Sequence, residues 1–105
     1  MYFSLGKSSE AVSSLLLCIE KNPNYVSAYE LLGEWYLLQK STLESIKYLK
    51  EALAINPYNP LTHINIAKSY ILSEDRTNAC REFKNALIID PQNVYLARMV
   101  EETCK

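Results

Sequence analysis

Residues 50–59 read KEALAINPYN, and residues 84–93 read KNALIIDPQN, the same phrase 34 residues later. A fainter copy, LLCIEKNPNY, ends at Tyr25, one interval earlier. Pro23, Pro57 and Pro91 mark the interval, and other residue types keep its phase. Small residues recur at Cys18, Ala52 and Ala86, and at Ala11, Ser45 and Ala79. Large ones recur at Leu15, Leu49 and Phe83, and at Tyr2, Tyr36 and Tyr70. Gly33 pairs with Ala67. Chance would have to align small, large and proline positions together, so an internal repeat is the economical reading.

Each interval holds two amphipathic helical patterns. Ser45, Leu49, Ala52 and Leu53 fall on one face of a helix of period 3.6, with Ile46 widening the stripe. Tyr29, Leu32, Gly33 and Tyr36 do the same in the first half of that interval. The next interval repeats both faces with His63, Ile66, Ala67 and Tyr70, then Ala79, Phe83, Ala86 and Leu87. Asn59 before Pro60 suits an N-cap followed by proline at the first helical position, and Asn93 has the phase of Asn59. Asn24 sits one residue early, with Tyr25 in the capping phase. Ser41 or Thr42, and Asp75, are positioned to cap the second helices. Pro57 and Pro91 end those helices, because proline disfavours helical geometry in the residue before it. No strand pattern competes, and two glycines leave little scope for hairpin turns. The expected fold is all-α.

A helix pair of this size cannot bury its apolar stripe alone, and stacking on the next pair gives a quasi-linear solenoid. The small positions are then the close crossings, with Tyr36, Tyr70, Leu49 and Phe83 filling the space beside them.

The totals restrict function. Lys and Arg number 11 against 12 Asp and Glu, a net charge of −1, without the basic excess of a phosphate-tracking nucleic-acid binder. Three cysteines, Cys18, Cys80 and Cys104, are an odd number with no CxxC, which argues against a disulfide framework or zinc site. Reduced thiols in an intracellular compartment, cytoplasm or nucleus, are expected, with Cys18 as inert packing and Cys104 the accessible thiol. The start, MYFSLGKSSE, lacks the basic flank and long apolar region of a signal peptide. No apolar run approaches the ~20 residues that cross a bilayer, and a soluble protein is expected.

No phosphate loop, paired-His motif or nucleophile elbow occurs. His63 lacks a second His, and lacks Cys or Asp at helical spacing, so it is read as a packed repeat position. The repeat phase of Tyr2, Tyr36 and Tyr70 favours core packing over base stacking. Glu101-Glu102 is read as a solvated helix end. No catalytic residue, metal or cofactor is expected, and the chain is read as not an enzyme.

The alternation of large, small and proline positions resembles the tetratricopeptide repeat family. Two full copies run from Val26 to Asn59 and from Pro60 to Asn93. Residues 1–25 resemble a partial copy, mainly its second helix, and residues 94–105 a terminal or capping helix, making a single domain over 1–105. The resemblance implies an α-solenoid of antiparallel helix pairs in a right-handed superhelix. Two departures stand out. The family's usual Trp near the start of each copy is Tyr29 or His63, and Glu101 holds a small position in the last helix, which suggests a polar cap.

The resemblance also implies a protein–protein interaction scaffold, a subunit or fragment of a multiprotein assembly. It would bind a partner peptide or amphipathic helix in a concave groove lined by first helices. The family's groove positions map onto Ser27, Glu30, Leu31, Glu34 and Leu38, then Leu61, Ile64, Asn65, Lys68 and Leu72, then Tyr95, Arg98, Met99 and Glu102. Leu31, Ile64, Leu72 and Met99 would form an apolar strip. One family subtype clamps a carboxylate tail with Lys, Asn and Arg; Asn65 matches, but Glu30 and Glu34 would repel such a tail. A partner with an apolar or amphipathic segment fits better.

Other readings stay open. The chain could be an RNA-binding helical-repeat protein of the pentatricopeptide kind, although nucleic acid is not favoured by its charge. It could instead be a regulatory repeat segment of a longer enzyme. The apolar face of Leu15, Leu16 and Ile19 lacks part of its cover, which a longer repeat array, self-association or docking on an assembly would supply.

Overall fold

The computed structural model describes residues 5–105, and Tyr2 lies outside them. The described residues form six helices and no strand: α1 (Leu5–Lys21), α2 (Val26–Leu38), α3 (Thr42–Ile55), α4 (Pro60–Leu72), α5 (Arg76–Ile89) and α6 (Val94–Thr103). Consecutive helices pack against each other, so the chain is a stack of antiparallel pairs. First helices α2 and α4 also touch, whereas second helices α3 and α5 do not. The layer whose helices lie closer is the inside of the curve, which makes the α2/α4 side the concave one.

The repeat phase is the packing code. Gly33, Ala67, Ser45, Ala79, Ala52 and Ala86 are all buried, as are Leu49 and Phe83. Gly33 is needed where it stands, because a Cβ there would overlap Cγ and Cδ2 of Leu49 across the α2–α3 crossing. A mid-helix glycine costs about 1 kcal/mol relative to alanine, offset here by the close approach it permits. In α1 the same phase is only half-buried at Ala11, Leu15 and Cys18, and Leu16 is exposed. A second core gathers Ile64, Ala67, Ala79, Phe83, Ala86 and Leu96, with Tyr70, Leu87, Met99 and Val100 against it.

The caps follow side-chain chemistry. Asn59 Oδ1 accepts from the Leu61 N–H at 3.1 Å, and Asn93 Oδ1 accepts from the Leu96 N–H at 3.1 Å. Asp75 Oδ1 accepts from the Asn78 N–H at 3.2 Å, while the Asn78 side-chain amide donates to Oδ2 at 2.6 Å. Those two bonds, the side-chain one foremost and aided by Arg81, hold the Asp75 carboxyl below its ordinary range. Ser41 and Tyr25 occupy N-cap positions without a side-chain cap bond, and Asn24 lies outside the helix.

The first helices close on a shared motif that sequence inspection does not single out. Lys40 and Glu74, one repeat apart, have φ of 62° and 61°. The Lys40 N–H donates to the Leu37 carbonyl and the Ser41 N–H to Tyr36; Glu74 and Asp75 repeat this with Ile71 and Tyr70. Each is a Schellman motif, where glycine is the usual left-handed residue.

The expectation of three reduced thiols fails. Cys80 and Cys104 form a disulfide joining α5 to the end of α6, their Cα atoms 5.1 Å apart, so Cys104 is not an accessible thiol. Cys counting missed it because an odd total still permits one pair; Cys18 is the free, half-buried one. Arg76 supplies a second tie, its guanidinium donating to the Glu102 carbonyl at 2.7 Å and so serving the C-terminal end of α6. No helix among the described residues is long and apolar enough to cross a membrane.

Candidate protein-binding groove

The fourteen groove positions separate into distinct environments. A cavity of about 220 Å³ near the N-terminal ends of α2 and α4 is lined by Ser27, Glu30, Leu31, Glu34, Leu61 and Asn65, joined by Leu49, Asn59 and Thr62. Glu30 is already engaged: Asn59 Nδ2 and Thr62 Oγ1 donate to its Oε2 at 2.7 and 3.1 Å. The cap of α4 is thereby tied to α2, and one Glu30 oxygen carries two interhelical bonds.

At the other end of the same helices, Leu38, Lys68 and Leu72 line a second cavity of about 470 Å³ with Leu37, Lys40 and Ile71. Leu38 is 61% exposed and Leu72 49%.

The remaining positions do not join these two surfaces. Ile64 is buried in the α4–α5–α6 core and Met99 packs on that core, so neither extends an apolar strip along the groove. Both belong to the cluster that α6 closes over α5 through Leu96. Tyr95 and Arg98 are exposed on α6. Glu102 lines a further cavity, about 450 Å³, with Ile71, Glu74, Arg76 and Thr103.

His63 is packed, and it has a partner that its own helix could not reveal. Its Nδ1 lies 2.8 Å from Glu82 Oε1 and its Nε2 3.1 Å from the Pro57 carbonyl. Tyr29, one repeat earlier, sends its hydroxyl to the Pro23 carbonyl at 3.0 Å. The same position therefore fastens each first helix to the preceding proline turn, by phenol in one copy and imidazole in the next. The signal for Glu82 was its place three residues after Ala79 and four before Ala86, inside the packed stripe of α5. The sequence also treats Ser45 merely as small, yet its hydroxyl donates to the Gly33 carbonyl at 2.8 Å. Ser69 Oγ stands 3.0 Å from Ser45 Oγ and 3.2 Å from the Asn65 carbonyl, and its single proton serves one of them at a time.

Tyr36 stacks on Tyr48, ring centroids 5.7 Å apart, with Trp35 edge-on to it at 4.9 Å. Burial raises the Tyr36 phenol above its ordinary pKa, with the Tyr48 and Glu44 charges adding to the effect. These rings serve as packing between α2 and α3.

Comparison with known proteins agrees with this geometry. Residues 26–59 match the family model described as Tetratricopeptide repeat. Curated proteins return no match. Among solved structures, the crystal structure of MamA superposes with a TM-score of 0.82 at 13% identity, over 98% of this chain. The chain spans 64% of that structure's length, and at this identity the likeness speaks to the fold. Residues 26–59 thus carry the sequence of a tetratricopeptide repeat, and the paired helices on either side share the fold of that structure.

Proposed function

We propose that this chain is a protein–protein interaction scaffold whose α2/α4 face receives a peptide or helix of a partner protein. The observation that carries the reading is the exposed apolar side chains of that face. Leu38, Leu61 and Leu72 are 61%, 55% and 49% exposed, beside two cavities lined by the same two helices. Aliphatic side chains in an open cleft, bordered by a few polar groups, are the ordinary chemistry of segment recognition.

Affinity capture from an extract of the source cells tests the proposal, with the wild-type chain and a Glu34→Lys/Leu72→Asp variant as baits. A partner retained by wild type and lost by the variant, with unchanged helicity and Tm, is the expected result. The same partners on both baits would move the interaction off this face.

A further inference from the structure

We infer that the cleft between the C-terminal ends of α2 and α4 docks an apolar peptide segment flanked by carboxylates; this rests on the groove reading above. Leu37, Leu38, Ile71 and Leu72 line it, with Lys40 and Lys68 as its charged wall residues. A single exposed leucine needs no explanation, but four aliphatic side chains from two helices around one opening of about 470 Å³ do. Leu38, Ile71 and Leu72 are 61%, 39% and 49% exposed, so the patch faces solvent rather than a neighbouring helix.

The charges select the occupant. No carboxylate lines this cleft, and neither lysine makes an ion pair among the described residues. The cavity at the other end of the same helices is the reverse, with Glu30 and Glu34 and no lysine or arginine. The groove thus has an acidic end and a basic end, and an apolar segment on the basic end is complemented by Asp or Glu beside its apolar residues. Lys40 is not on a loose loop, since its backbone is fixed by the Schellman turn that ends α2. Nucleic acid is a poor fit, because two lysines over aliphatic side chains offer neither a phosphate track nor a stacking ring.

The test is selection of a random peptide library displayed on phage against the purified chain, followed by fluorescence polarisation of the enriched peptides. Enriched sequences should pair large apolar residues with Asp or Glu. Their binding should weaken by about tenfold or more in Leu72→Asp and in Lys40→Glu/Lys68→Glu. Replacing the peptide acids with lysine should restore binding to the double variant. All three substituted side chains are exposed, so the variants should keep the wild-type Tm. Enrichment without acidic bias, or binding indifferent to the lysine reversal, overturns the inference. Basic peptides lost in Glu34→Lys would overturn it while leaving the groove reading intact. No enrichment above background would overturn both.

Discussion

His63 Nδ1 lies 2.8 Å from Glu82 Oε1, each side chain 10% exposed, and this pair joins the first helix of a repeat to its second. Both ring nitrogens have an oxygen partner, the Glu82 carboxyl group and the Pro57 carbonyl. Removing one partner leaves the other buried and uncompensated. Glu82→Ala and His63→Ala should each cost about 3 kcal/mol in urea unfolding, with the double variant well short of their sum. Additive losses would mean that the two side chains act independently.

Crossing contacts should punish added volume. Gly33→Ala drives a Cβ into Leu49, and Ala52→Leu or Ala86→Leu overfills sites with no exposed surface. Each should lose about 1–3 kcal/mol. Trimming the obstacle, in Gly33→Ala/Leu49→Ala, should make the alanine at 33 less harmful than it is beside leucine. Unchanged melting temperatures for all three single variants would contradict the register.

Glu74 holds a left-handed conformation with φ of 61°. Glycine adopts it without the Cβ clash, so Glu74→Gly should stabilise by about 0.5–1 kcal/mol. By differential scanning calorimetry that is a rise in Tm of a few degrees. A fall would show that the side chain contributes more than its backbone strain removes.

The Cys80–Cys104 disulfide closes a loop with a sequence separation of 24 residues. Its removal in Cys80→Ser/Cys104→Ser should lower stability by about 3 kcal/mol, and amide exchange should quicken first in α6. Dithiothreitol should reproduce the loss in wild type and leave the double variant unaffected. Equal unfolding curves with and without reductant would count against the bond.

The Asp75 cap predicts an acid-side dependence. Its carboxyl pKa is lowered in the folded state, first by the Asn78 side-chain hydrogen bond. Its contribution is complete above the ordinary carboxylate range and disappears as pH falls through the lowered folded value. Asp75→Asn should therefore be less stable than wild type at neutral pH, with the gap narrowing in acid. A gap that stays constant would exclude titration of this cap.

The 34-residue spacing of Pro23, Pro57 and Pro91, and the matched small positions from Gly33 to Ala86, determined the helix pairs and their order. They could do so because helical periodicity and close-packed crossings are local, repeated demands on side-chain size. The groove was less legible. Leu38 and Leu72 line an open cleft, but Ile64, a groove position by the same family resemblance, is buried in the core with Leu96 of α6. Nor could spacing along one helix reveal the His63–Glu82 pair, the Cys80–Cys104 bond, or Glu30 holding Asn59 and Thr62. Those contacts join residues 19 to 32 positions apart, and only the angle at which neighbouring helices stack decides which side chains meet.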